Sequence, residues 1–255
     1  LPDSVKICQL WQQASRETSV LWLARQFLGV PYVAHTLEVN DDERLVVNTR
    51  QLDCTTLVEM VTALKLCVQA DKHSFAGYLD ALRLLRYRQG RMAGYPSRLH
   101  YFTDWIRDKS DMQLVTDVQQ PNPPFSAVQT VQVDYMSTHP TAYKALKANA
   151  SLVPEIRAQE HSLTGMKVRY IPKRAVRNNA LLRKTVKDGD ILAITCNKKG
   201  LDIAHLGFAV WRSDGLHLLN ASMIHKKVVE EPMTLYQYLQ KYKTHTGIRV
   251  VRIKN

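Results

Sequence analysis

The sequence predicts an α+β fold. Three observations carry that reading: apolar residues recur at helical spacing through the first third, alternating strand-like runs fill the last third, and no regular strand–helix alternation joins them. With 255 residues, 45% hydrophobic and 23% charged, the chain is long enough for one elaborated core, and disorder is excluded as its main state. A single domain over residues 1–255 is expected. No window holds the ~18 apolar residues of a membrane-spanning helix; the densest, VLWLARQFLGVP, is interrupted by Arg25.

Val5, Cys8 and Trp11, then Val20, Leu23, Ala24 and Phe27, mark one or two opening helices that Gly29 stops. A loop with VPY and the acidic NDDE leads to RLVV, a short strand-like run. In LDCTTLVEMVTALKLCVQA, Leu57, Val61, Leu64 and Val68 keep the spacing of a buried helical face. Ser74 caps a further helix that reaches about Arg88. QGRMAGYPSRLHYF reads as loop, and PNPP at 121–124 as a linker between two layers of the same domain. Gly189 and Asp190 turn the chain into ILAITC, IAHLGFAVW follows, SDG at 213–215 turns it into LHLLNAS, and IRVVRI closes it.

Asp53 and Cys54 stand where the second helical run begins. An Asp N-cap puts the thiol in the first turn, where free N–H groups and the helix dipole favour a thiolate and hence a nucleophile. His205 projects from IAHLGFAVW on the face opposite Ala204, Leu206, Phe208 and Val210, with Gly207 leaving room beside it. A two- or four-residue loop between Trp211 and Gly215 sets Asn220 directly across from His205, or one diagonal step away. An amide oxygen there would orient the imidazole, completing a Cys-His-Asn arrangement for acyl transfer.

The balance of 35 Lys+Arg against 23 Asp+Glu leaves a formal charge of +12. The basic residues form scattered clusters without RNA-binding interleaving or a basic helix, so an anionic substrate is expected rather than nucleic acid. Nine scattered histidines without metal-ligand spacing argue against a metal, and no phosphate or dinucleotide loop is present; no cofactor is expected. A glycosidase stays open on residue types alone, since 23 acidic residues supply many carboxylate pairs. Cys8, Cys67 and Cys196 read as buried residues. The chain opens on Leu1 rather than Met, so loss of an N-terminal signal peptide is expected.

GVPYV at 29–33, DCTTLVE at 53–59, AHLGFAV at 204–210 and LLNAS at 218–222 resemble, in order, the motifs of NlpC/P60 cysteine peptidases. RLVVNTRQLDCTTLVE, YRQGRMAGYPSRLHYFTDW, MSTHPTAY, RYIPK and TGIRVVRI are similar to the DUF1460 branch. The resemblance implies a papain-like core, with helices packed on an antiparallel sheet and a long insertion at about 70–185 between the catalytic Cys and His. It also implies a periplasmic or secreted bacterial enzyme, an N-acetylmuramoyl-L-alanine amidase acting on peptidoglycan or its muropeptide fragments through a thioester. Cys54 would be the nucleophile, His205 the base and Asn220 the orienting residue, with Tyr32 close to the cysteine. Arg98, His100 and Tyr101, and then Ser137 and His139, are the candidates for holding substrate. Two alternatives stay open: an endopeptidase cutting the stem peptide between D-Glu and the diamino acid, and a non-catalytic basic module binding cell-wall polymer or nucleic acid. A monomer is expected.

Overall fold

The computed structural model describes residues 2–254. Helices α1 (Asp3–Gln13), α2 (Val20–Arg25), α3 (Cys54–Gln69) and α4 (Phe75–Arg86) come first. They are followed by α5 (Phe102–Asp111), α6 (Tyr135–Thr138), α7 (Lys144–Ala148), α8 (Val153–Leu163) and α9 (Ala180–Thr185), with α10 (Leu235–Gln240) near the end. The strands are β1 (Val115–Val118), β2 (Ala127–Thr130), β3 (Lys167–Pro172), β4 (Ile191–Cys196), β5 (Ile203–Trp211), β6 (Leu216–Ser222), β7 (Lys227–Glu230) and β8 (His245–Ile253). None of the described helices is long and apolar enough to cross a membrane.

Capping chemistry sets the helix starts. The Ser19, Asp53, Ser74 and Thr234 side chains each accept a backbone N–H from the first turn of α2, α3, α4 and α10. Gly29, at φ +83°, ends the opening helical region where an L side chain would be strained. RLVV forms no strand: Leu45 and Val47 pack against the core, but no neighbouring strand takes up the segment.

All strands join one eight-stranded antiparallel sheet, in the order β2-β3-β8-β4-β5-β6-β7, with β1 beside the C-terminal half of β8. The middle of the chain therefore adds three strands, on both sides of the PNPP linker, in segments to which the sequence assigns no element. Those strands are four to six residues long and lack a strong period-two pattern, so nothing local distinguishes them. Where β3 meets β8, a side chain at Gly247 would lie 2.1 Å from the Ile171 carbonyl oxygen, so the pairing requires glycine.

Because strand side chains alternate, the sheet feeds two cores. Ile191, Ala193, Leu206, Phe208, Leu219 and Val251 pack with α1–α5. Leu192, Ile194, Ala209, Leu218 and Val250 pack with α9 and α10 on the other face. A third cluster joins α6–α8 to β3 and to Tyr95 and Tyr101.

Helix α3 lies at the centre of the first core, with twelve of its sixteen residues buried. The expected single apolar face is widened to nearly the whole circumference, and the charged groups caught inside, Glu59 and Lys65, are paired. Arg86 donates to Glu59 at 2.7 Å and to the Val46 carbonyl at 2.6 Å, with both side chains about 2% exposed. Arg86→Met would leave the Glu59 carboxylate buried and unpaired, and is expected to lower the unfolding free energy by about 3–5 kcal/mol. Urea titration checks this, and an unchanged midpoint would show the pair to be dispensable.

Candidate active site

Cys54 is the first residue of α3. Asp53 caps the helix by accepting the Thr56 N–H at 2.8 Å, and the Thr56 hydroxyl receives the Asp53 N–H at 2.9 Å. This reciprocal box fixes the turn from which the thiol projects. The Gln51 N–H is likewise bound, to Asn48 Oδ1 at 3.0 Å. The Gln51 and Asp53 amides are thus both occupied and closed to a reacting oxygen, and the N–H of Cys54 itself remains at the helix start.

Strands β5 and β6 pair from Trp211–Leu216 to Phe208–Leu219, which is the four-residue-loop register. The ladder stops there, although β5 continues back to Ile203 and β6 on to Ser222. The Leu206 N–H, not used by a ladder to β6, donates to the Cys54 sulfur. His205 and Asn220, one diagonal step apart, bond through their side chains, with Nε2 2.9 Å from Oδ1. They are 8% and 0% exposed. A bulge on the other edge of β5, where the register against β4 shifts between Ile194 and Thr195, turns Ala204 toward the second core and re-aims this end of the strand.

Gly207 serves packing rather than substrate access. A side chain there would lie 2.6 Å from the Leu219 carbonyl oxygen and 2.7 Å from Leu218, so the expected free space is filled by β6.

Cys54 and His205 line one cleft of about 170 Å³, together with Thr55, Leu99–Phe102 and Asp202–Ala204. Burial, and then the Asp53 carboxylate, push the thiol up to about 12, against the Leu206 N–H, the Thr55 hydroxyl and its own N–H, which pull it down. This corrects the expectation of a ready thiolate at the helix start. Burial also lowers His205, opposed by its bond to Asn220 and by Asp53. The cleft therefore holds a neutral thiol and a neutral imidazole at rest. Because Asn220 Oδ1 accepts from Nε2–H, the lone pair sits on Nδ1.

The substrate candidates separate. Tyr32 is half-buried; its N–H donates to the Lys226 carbonyl, its neighbours Pro31 and Val33 bond Leu52, and its hydroxyl is raised to about 12 by burial, then by Cys54 and Asp53. It is near enough to Cys54 to feel its charge, although it is not among the residues lining the cleft, and it makes no side-chain hydrogen bond among the described residues. His100 and Tyr101 line the cleft, but His100 bonds the Tyr95 carbonyl at 2.9 Å and the Tyr101 hydroxyl donates to Glu160 at 2.7 Å. Arg98 is a correction: it is 5% exposed, donates to Glu38 at 2.5 Å and lies 3.6 Å from Glu43, so its charge is already consumed. Ser137 and His139 lie away from the cleft. Ser137 borders a separate, larger cavity, and exposed His139 stacks on Tyr135 at 4.2 Å. Cys8 is exposed, against expectation, whereas Cys67 and Cys196 are buried; all four cysteines are free.

Two neighbours of His205 escaped the sequence reading. Tyr238 of α10 stacks on it with ring centroids 6.3 Å apart, and His245 of β8 lies 6.1 Å from Tyr238. Both sit in unremarkable local sequence and reach the site only through the order of the sheet.

His100 and His245 are held neutral, lowered to about 3 and about 4, chiefly by burial. A lowered folded pKa means that the unfolded chain binds more protons, so the stabilisation is complete above the unfolded value of about 6.5 and is lost as pH falls below it. Between pH 7.5 and 5.5 each is expected to cost about 1.4 kcal/mol of stability. Denaturant melts at the two pH values check this. His245→Gln should remove its share of the difference, and an equally steep loss in the variant would overturn the assignment.

The chain matches the family model described as AmiA-like, N-acetylmuramoyl-L-alanine amidase-like, over residues 22–248. A Bacteroides uniformis N-acetylmuramoyl-L-alanine amidase structure is 41% identical, covers 93% of this chain and 98% of its own, and superposes with a TM-score of 0.86. A Bacteroides fragilis structure, carried under the provisional name of a xylanase, is 40% identical over 91% and 100% of the two chains, with a TM-score of 0.85. A Legionella pneumophila DUF1460 protein shares the fold at 22% identity, over 99% and 94% of the two chains, with a TM-score of 0.76. No curated protein sequence matches. The chain belongs to the AmiA-like, N-acetylmuramoyl-L-alanine amidase-like family.

Proposed function

We propose that the protein is a papain-like cysteine amidase of the NlpC/P60 type that hydrolyses the N-acetylmuramoyl-L-alanine amide bond of peptidoglycan or its fragments, outside the cytoplasm. The observation that carries this reading is the 2.9 Å bond from His205 Nε2 to Asn220 Oδ1 at the edge of the cleft that His205 shares with Cys54. It leaves Nδ1 as the basic nitrogen. In the reaction Nδ1 takes the Cys54 proton as sulfur attacks the lactyl carbonyl. The Cys54 N–H and the Tyr32 hydroxyl support the developing oxyanion, and the imidazolium returns its proton to the leaving amine of L-Ala. Water, deprotonated by His205, then hydrolyses the thioester.

The family match and the 41%-identical amidase support the bond assignment. A xylanase-like activity lacks its machinery here: retaining and inverting glycosidases need two carboxylates, and the residues lining this cleft include one, Asp202.

Digestion of purified muropeptides, read by mass spectrometry, is expected to release stem peptide starting at L-Ala, with Cys54→Ala inactive. Disaccharide dipeptides would indicate the endopeptidase instead, and identical profiles from wild type and variant would remove Cys54 from the chemistry. Tyr32→Phe is expected to lower kcat by about 10²- to 10³-fold, the worth of one oxyanion donor.

The neutral resting pair also sets the pH profile. His205 must be unprotonated, and its lowered pKa places the acid limb of kcat/KM below pH 6.5; with the thiol near 12, no second limb falls between pH 7 and 9. A bell centred near neutrality would replace this mechanism with a preformed ion pair.

A further inference from the structure

A second, larger cavity lies beside the catalytic cleft, not within it. It encloses about 680 Å³ between β2, α8 and the β4–β5 loop. Leu201 borders it while the next residue, Asp202, borders the cleft. Tyr101, on the cleft side, donates to Glu160, on the cavity side. The two spaces therefore share a wall.

That wall carries hydrogen-bonding capacity that the protein does not use. Glu160 is 2% exposed; its Oε1 accepts from Tyr101 at 2.7 Å and from the Ser137 N–H at 3.1 Å, while Oε2 has no partner. Gln129 donates its amide N–H to the Asp202 carbonyl at 3.0 Å and the Cys196 carbonyl at 3.4 Å, which fixes the amide orientation and leaves buried Oε1 unpartnered. Two buried acceptors without donors on one cavity are costly unless something fills them. At the mouth, exposed Arg157, Lys198 and Lys199 add positive charge, with Asp134 the other carboxylate on the lining.

Acceptors inside and cations at the rim call for a ligand with an amino group at one point and carboxylates around it. We propose that this cavity is a subsite for a zwitterionic peptide segment, with its ammonium toward Glu160 and Gln129 and its carboxylates toward Arg157, Lys198 and Lys199. Resting on the amidase reading, the segment is the diamino-acid end of the stem peptide, held while the amide bond lies over Cys54. A neutral sugar would satisfy the acceptors through hydroxyls but would leave the cationic rim without a partner.

The test is calorimetric and needs no turnover. The tripeptide L-Ala-γ-D-Glu-meso-diaminopimelate, the same peptide with D-Ala in place of the diamino acid, and chitobiose are titrated into the full chain. The tripeptide is expected to bind at least about tenfold tighter than the D-Ala analogue, the worth of a charge-assisted hydrogen bond to a buried carboxylate. Glu160→Gln keeps the acceptor for Tyr101 and Ser137 and replaces Oε2 by a donor; it should erase that preference without changing the melting temperature. Lys198→Ala/Lys199→Ala, on the surface, should weaken binding of both peptides and flatten its salt dependence. No peptide binding, an unaltered preference in Glu160→Gln, or tighter binding of chitobiose would each overturn the subsite. Peptide binding with these dependences but no loss of turnover in Cys54→Ala would sink the amidase mechanism and leave the subsite standing.

Discussion

The ladder between β5 and β6 ends at Phe208 and Leu219, before either strand does, and the candidate site is built from what that ending leaves free. One leftover is the Leu206 N–H, which meets the Cys54 sulfur at the start of α3. The other is a pair of strand side chains, His205 and Asn220, that bond to each other where backbone bonds would otherwise continue. A helix start and two strands thus converge without any long active-site loop. The convergence depends on α3 staying in place, which the first core and the Arg86–Glu59 pair secure, and on β6 approaching β5 closely enough that only glycine fits at 207.

Burial gives this arrangement its chemical character. A thiol at an exposed helix start would gain from the dipole and from water; here desolvation and the Asp53 carboxylate dominate and the proton stays on sulfur. Asp53 cannot simply be removed, since it caps the helix that presents the thiol. The same carboxylate favours the imidazolium of His205, so it opposes the thiolate at rest and assists once the proton has moved. In the proposed mechanism activation is deferred to the moment of attack, and a thiol that keeps its proton at rest is less open to oxidation.

The sequence disclosed this centre because its signals are local. A cap, a thiol and a 3.6-residue periodicity lie within sixteen residues, and a hairpin register can be narrowed to two values from its turn. His205 and Asn220 share a face, opposite or one diagonal step apart, in either. The periphery was not legible, for equally physical reasons. Strands β1, β2 and β3 are short: β1 and β3 take their identity from β8, more than seventy residues away from each, and β2 takes its own from β3. Arg98 looked free because its partners, Glu38 and Glu43, sit in a loop that carries no pattern. Tyr238 and His245 reach His205 only because β8 is inserted beside β4.

The charge balance also changes meaning once burial is known. Among the described residues seven acidic side chains are buried, Glu59, Asp104, Asp108, Glu160, Asp190, Asp202 and Glu231, against five basic ones. Folding therefore withdraws more negative than positive charge from solvent, and the surface is more basic than the composition implies. At physiological ionic strength the field of such a surface decays over about 8 Å, so scattered cations act on a ligand only where they are close to it. Arg157, Lys198 and Lys199 are close to one space, the cavity over Glu160. The general surplus raises encounter with anionic material, while the local trio and the unpartnered acceptors beneath it decide how an arriving chain is oriented relative to Cys54.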